Sequence, residues 1–285
     1  MADSSDRPTI LRELLISLAA LSCFMMMCRI YARYFLLRIP GADDALAVVA
    51  WIFLLGFTAC DFSGTFYGSG QRGDKVSPTS RRTLMKIIPS GLLLYFVASG
   101  LIRLSIAAFL PRLNRERRFL LFVYALSTGI VLITIASFLT YCFQCHPVVA
   151  LWINKKGGIT CMTMKHEAAL FNVHASFGIF FDVLLLLAPI WVLHQNMMFS
   201  LRVVRIAFVF AVGIFAIVAG VIRFAYIVNK NDSGPKKDMT HLVFRGIIWT
   251  NLEAHCGLWV ACAPALQSLL RQIPSPVPVV VPDKS

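Results

Sequence analysis

The sequence predicts an all-α protein, a bundle of seven transmembrane helices, and three observations carry that reading. Its 285 residues are 58% hydrophobic and only 14% charged, whereas soluble domains carry about 25% charged residues. Seven apolar runs have the length of about 20 residues that a helix needs to cross a hydrocarbon core about 30 Å thick. None of the runs alternates with period two, as the strands of a membrane barrel would. A soluble domain is excluded, because so little charge cannot cover a water-exposed surface.

The first run extends from Ile10 to Met27, with Arg12 and Glu13 in its opening turn, and closes on Cys28 and Arg29. The second begins after Asp43 and Asp44 and continues from Ala45 to Cys60. The third, Ile87 to Leu110, is interrupted only by Pro89 and Arg103. The fourth is Phe119 to Phe143, the fifth Ala168 to Leu193, the sixth Ile206 to Val228 and the seventh His241 to Leu270. Pro189 and Pro264 read as kinks within the fifth and seventh. Residues 1–271 therefore read as one membrane domain and 272–285 as a short Pro-rich cytoplasmic tail, whose Pro274, Pro276, Pro278 and Pro282 prevent a helix. No cleaved signal peptide is expected, since Asp3 and Asp6 stand where a basic segment would be. No internal repeat is visible, which argues against a transporter built of paired halves.

The chain carries 27 Lys+Arg against 14 Asp+Glu. The basic residues sit in short gaps between apolar runs, so anionic lipid head groups, and not nucleic acid, are the expected partner. Arg112, Arg115, Arg117 and Arg118, between the third and fourth runs, read as head-group anchors. Side A, the side of the N-terminus, holds 14 basic residues and side B holds 11, so charge alone does not orient the bundle. Cys145 and Cys161 both fall in the side A loop between the fourth and fifth runs, and a bridge joining them needs an oxidising compartment. Asn231 begins the only N-x-S/T sequon, also on side A, and is a candidate for glycosylation. Both signals place the N-terminus outside or in a lumen, and the C-terminus in the cytosol. The other six cysteines lie in or beside the runs as small apolar fillers, and no Cys/His cluster suggests a metal.

A charge in hydrocarbon costs at least ~2.5 kcal/mol, so each one must face the bundle interior and find a partner. On the seventh run His241, Arg245, Trp249 and Glu253 recur every four residues along one helical stripe. His174, Gly178 and Asp182 do the same on the fifth, while Arg103 lies mid-span on the third and Arg223 toward the side A end of the sixth. Arg103, Asp182, Arg223, Arg245, Trp249 and Glu253 form the candidate ligand or polar cluster. They act either as paired ions that hold helix register or as the lining of a cavity. For Glu253 an ionic partner on another helix is favoured: Arg245, eight residues away, is about 12 Å distant along the axis. His174 and His255 read as satisfied interior histidines.

These residues recur in patterns that resemble the fungal rhodopsin-domain integral membrane proteins, a family that includes receptor-like proteins of filamentous fungi and members encoded in toxin gene clusters. The stretch CRIYARYFLLRIPGADD resembles the family's R-x-Y-x-R followed by G-x-D-D, through Arg29, Tyr31, Arg33, Gly41, Asp43 and Asp44. LYFVASGLIRLSIAAFL resembles its third-helix signature, and FQCHPVVALW its F-x-C-x-P…W loop, with Cys161 as the later loop cysteine. Asp182, Pro189, Gly213 and Arg223, then Asp238, Thr240, Trp249, Glu253, Cys262 and Pro264, continue the resemblance to the end of the seventh helix. It implies a rhodopsin-like fold. Three positions depart from the pattern: Arg103 replaces a lysine, Arg72 a histidine and Gly178 an asparagine.

No cofactor is expected. Retinal needs a lysine amine at mid-membrane for its Schiff base, and none of the nine lysines falls there, Lys86 lying only at the entrance of the third run. Two functions remain open. One is a receptor-like protein that binds a small molecule within the bundle and signals to a cytoplasmic partner. The other is a membrane-embedded enzyme of fungal secondary metabolism acting on a lipophilic metabolite, with Asp182 or Glu253 as acid/base and Arg103 or Arg245 stabilising negative charge.

Overall fold

A computed structural model describes residues 7–71, 76–152, 160–195, 202–232 and 239–272, and the side chains of 193–195, 202–209, 229–232, 239–243 and 267–272 lie outside that description. Arg72, the His241 side chain, the Asn231 sequon and the tail at 273–285 are therefore not described.

Among the described residues seven long helices follow one another: α1 Arg7–Ile30, α2 Ala42–Phe66, α3 Pro78–Phe109, α4 Arg117–Cys142, α5 Met164–Gln195, α6 Arg202–Asp232 and α7 Met239–Gln272. Six of them contain an apolar window long enough to cross a bilayer. The remaining helix, α7, carries Asn251, Glu253 and His255 in its middle, which dilutes its apolar character. Every helix is longer than the apolar run that signals it, although α3 and α4 stop one residue short of Leu110 and Phe143, where their runs end. The hydrocarbon sets where side chains must be apolar, but backbone hydrogen bonding continues into the head-group region.

Local chemistry accounts for the ends. Ser77 caps α3 by accepting the Ser80 N–H at 3.2 Å, and Pro78 occupies the first helical position, where its missing N–H is no loss. Arg29 does not end α1. The helix passes it by one residue and widens into a π-helical turn at Tyr31–Leu36, closed where Arg38 adopts a left-handed conformation with φ of 51° and Ile39 N–H donates to Arg33 O. At the start of α2, Asp43 and Asp44 sit in the first turn beside the positive end of the helix dipole, and Asp44 accepts the Gly41 N–H at 3.1 Å.

Helix α3 runs through the centre and packs on α2, α4, α5 and α7, while α1 closes against α2 and α7. Small residues such as Ala47, Ala50, Ala98 and Ala107 are fully buried, which lets the backbones approach as membrane packing requires. One apolar cluster joins Leu54, Phe57, Tyr95, Phe96, Ile102 and Leu258 across α2, α3 and α7. A second joins Leu110, Phe119, Val123, Ile130, Phe181 and Leu185 toward side B. Large apolar side chains such as Phe24, Ile52, Leu121 and Leu132 face outward to the lipid.

Between α4 and α5 two short strands, β1 Cys145–His146 and β2 Thr160–Cys161, pair antiparallel with Cys145 opposite Cys161, and a disulfide joins the two cysteines. After β1 the loop turns back over the bundle. Leu151 packs on the α2/α3/α7 core, and Trp152 Nε1 donates to Ser90 Oγ of α3 at 3.0 Å.

Candidate functional site

Four helices bring four charged side chains to one level inside the bundle. Arg103 of α3 donates from Nε and Nη2 to the two carboxylate oxygens of Asp182 on α5, at 2.9 and 2.8 Å. The same Nη2 reaches Glu253 Oε1 on α7 at 3.3 Å. From α6, Arg223 donates Nη2 to Glu253 Oε1 at 3.3 Å and holds Nε 2.6 Å from Oε2. That closest approach is an ion pair without an aligned hydrogen bond, which leaves both atoms without a hydrogen-bond partner. Arg103, Arg223 and Glu253 are at most 6% exposed. Two guanidiniums thus face two carboxylates, and the charges balance where a lone one would cost several kcal/mol.

Neutral groups complete the surroundings. The Tyr95 hydroxyl donates to Glu253 Oε1 at 3.4 Å, and the Arg223 guanidinium stands over the Tyr95 ring, 5.2 Å from its centroid. His174 lies between Ser137 Oγ at 3.2 Å and Ser99 Oγ at 3.5 Å, with its ring edge-on to Phe96. Gly178 leaves room for the Arg103 head: a Cβ there would stand 3.0 Å from Nη2. Arginine at 103 and glycine at 178 thus fit each other sterically.

Two residues of the expected cluster lie outside this arrangement. Arg245 is exposed on the outside of the bundle instead of facing its interior, and donates to the Tyr226 hydroxyl at 2.8 Å. Trp249, one turn before Glu253, is half-buried. The four-residue stripe of α7 drifts around the helix by about 40° per step, which is enough to carry Arg245 out while Glu253 points in.

A second charged cluster, whose mutual contacts lie beyond what spacing reveals, closes the side B end. Arg29 donates to Asp44 and Asp43 at 3.0 Å each, and also to the backbone carbonyl of Ala261 on α7. Arg112 reaches Asp43 Oδ1 at 2.6 Å, so it is an interhelical ion-pair partner and not only a head-group anchor. Arg33 lies farther from the same carboxylates, at 3.6 and 3.5 Å.

A third polar path joins α1, α2 and α7. Trp259 Nε1 donates to Ser22 Oγ at 2.9 Å, and Ser22 Oγ meets His255 Nδ1 at 2.6 Å. His255 Nε2 meets Thr58 Oγ1 at 3.0 Å, and Asn251 Nδ2 donates to Asp61 at 2.7 Å. Ser22 and Thr58 carry no sequence signal, because serine and threonine in apolar helices can satisfy themselves on a preceding carbonyl, whereas Asn251 and Asp61 are costly polar groups in apolar helices that the sequence reading did not use. Among the described residues no group of three or more His, Cys, Asp or Glu could hold a metal ion.

The motif residues thus hold the bundle together at two levels, and comparison with known proteins agrees with their pattern. The family model described as the fungal rhodopsin domain matches residues 28–272. A SAT4 family membrane protein of Emericella nidulans is 25% identical over 239 residues, covering 82% of this chain and 56% of that protein. The chain spans a little over half the length of this relative. No solved structure matches the chain. With the family match covering most of its length and a seven-helix bundle beneath it, the chain belongs to the fungal rhodopsin domain family.

Proposed function

We propose that the protein is receptor-like: it binds a small lipophilic molecule among its helices, and the cluster of Arg103, Asp182, Arg223 and Glu253 is the element that this molecule rearranges. The observation that supports this most is the sharing of Glu253 Oε1 between Arg103 of α3 and Arg223 of α6. One carboxylate oxygen divided between two cations has alternative pairings of similar energy. A ligand that offers a hydrogen bond to one of them shifts the balance and moves α6 or α7 relative to α3. In this reading the N-terminus faces the outside or a lumen of the plasma membrane or an endomembrane, the C-terminus faces the cytosol, and a cytoplasmic partner senses the helix movement. Retinal has no part in this reading, since none of the nine lysines falls at mid-membrane, where a Schiff base would form.

The test is to purify the chain from a fungal host in its own lipid and to analyse what is released on denaturation. A lipophilic compound in near-stoichiometric amount, lost from an Arg223→Leu variant that still folds, is expected. A protein that carries no such compound, and whose melting temperature no organic extract of the host moves, overturns the reading.

One contact favours a membrane-embedded enzyme as the second reading. The Tyr95 hydroxyl beside Glu253 Oε1 is an acid/base pair flanked by two arginines. Turnover of the released compound by the refilled protein distinguishes this reading from the first.

A further inference from the structure

We infer that His255 is the positioning residue of α7: a neutral ring with its proton on Nε2, it fixes the rotation of the helix about its own axis and so aims Glu253 at the two arginines. The inference concerns the geometry of the cluster and holds whatever molecule the cluster binds. Successive residues of an α-helix turn by about 100°. Asn251 and His255, four apart, therefore share one face of α7, and Glu253, two from each, lies on the opposite face. The contacts follow that division. Glu253 meets Arg103 of α3 and Arg223 of α6, while Asn251 and His255 meet Asp61 and Thr58 of α2, and His255 also meets Ser22 of α1. A turn of α7 that withdrew Glu253 would break both sets at once.

The hydrogens of the second set can be placed one by one. Trp259 Nε1 can only donate, and it donates to Ser22 Oγ at 2.9 Å. Ser22 is fully buried, and among the described residues the acceptor that its hydroxyl hydrogen reaches is His255 Nδ1, at 2.6 Å. With Nδ1 an acceptor, the ring proton sits on Nε2 and is donated to Thr58 Oγ1 at 3.0 Å. Thr58 passes its own hydrogen to the Leu54 carbonyl at 2.9 Å, nearer than Asn251 Oδ1 at 3.5 Å. Every hydrogen in this order has an acceptor. The opposite tautomer, with Nδ1 donating, would leave the Ser22 hydrogen without one. A charged ring would do the same, and among the described residues it would have no carboxylate in contact. His255 thus joins α7 to α1 through one nitrogen and to α2 through the other, which a neutral imidazole can do because it accepts on one side and donates on the other.

The experiment uses the full chain in phosphatidylcholine nanodiscs, with its histidines isotope-labelled for nitrogen NMR. The His255 signals are those missing from His255→Asn. In the wild type they are expected to show a neutral ring protonated on Nε2; a proton on Nδ1, or on both nitrogens, overturns the inference. Rotation of the helix is read at Cys256, the buried residue that follows His255, as its rate of alkylation by N-ethylmaleimide. Ser22→Ala removes the donor to Nδ1 and the acceptor of Trp259, and should raise that rate about tenfold, the scale of one lost buried hydrogen bond. Ser22→Thr keeps the hydroxyl and should keep Cys256 protected. Cys262, beyond the Ala261 carbonyl that Arg29 holds, is fully buried and should stay protected in both variants. An unchanged rate at Cys256 in Ser22→Ala overturns the inference. So does an equal rise at Cys256 and Cys262, which marks general loosening and not a turn of the helix.

Discussion

Arg103 and Asp182 face each other as a fork on a fork, two parallel hydrogen bonds of 2.9 and 2.8 Å joining the third helix to the fifth. The pair does not stand alone, because the same guanidinium also reaches Glu253. The consequences of removing each carboxylate differ, and that difference can be measured.

Glu253→Gln should be the more damaging change. It leaves Arg223 without its ionic partner at a position 4% exposed, and breaking a buried pair from one side costs about 3–5 kcal/mol. The expected outcome is a large loss of folded protein and of melting temperature in detergent. A companion change of Arg223 to Leu, which removes the stranded charge, should restore part of it. If Glu253→Gln accumulates normally and loses only biological activity, the carboxylate serves a working site and not the architecture.

Asp182→Asn should be milder. The Asp182 side chain is 21% exposed, and Arg103 keeps Glu253 as a counter-charge. A loss of about 1.5–3 kcal/mol, the scale of a hydrogen bond to a charged group, is expected in a denaturation series that compares the two variants. A loss equal to that of Glu253→Gln would contradict the ranking.

Gly100→Ala tests the close approach of α3 and α4. A Cβ at 100 would lie 2.6 Å from Thr134 Cγ2, and the Thr134 Oγ1 is nearer still. Overpacking of this kind costs about 1–3 kcal/mol, more than the gain of about 1 kcal/mol in helix propensity. The single variant should melt lower, and Gly100→Ala with Thr134→Ala should recover.

Loss of the Cys145–Cys161 bridge should act chiefly on the side A loop. For a closed loop of about 15 residues the bridge stabilises by about 3 kcal/mol. Cys145→Ser should lower the melting temperature and increase proteolytic cutting between the two strands. Wild-type protein should show the same change only after reduction, while alkylation of the untreated protein should leave both of these cysteines unlabelled.

Much of the bundle was legible in the chain because the bilayer is a demanding solvent. Seven apolar runs could only be seven helices, and the charged interruptions at 103, 182, 223 and 253 each needed a partner, which the structure supplies from one another. Residues whose role depends on where another helix arrives were not legible. Arg112, in a run of four arginines that reads as head-group anchors, has no local mark that separates it from Arg115, yet it reaches Asp43 across the bundle. Arg245 repeats the spacing of Glu253 and still turns outward, since an ideal helix drifts off a four-residue period. Ser22 and Thr58 were silent for the opposite reason: an interior hydroxyl is inexpensive, so its presence in an apolar run demands no partner, and the link to His255 appears only in three dimensions.

The polar character of α7 has a consequence for how the protein is made. Asn251, Glu253 and His255 are buried, and their partners lie on α1, α2, α3 and α6. Within its described residues α7 has a carboxylate near its centre and no apolar window like those of the six helices before it, which makes it a poor substrate for membrane insertion on its own. Its buried polar groups are satisfied only once α1, α2, α3 and α6 present their hydroxyls, guanidiniums and the Asp61 carboxylate. Formation of α7 as a membrane helix is therefore expected to depend on the helices that hold its polar groups, and variants that displace one of those partners should lower the insertion of α7.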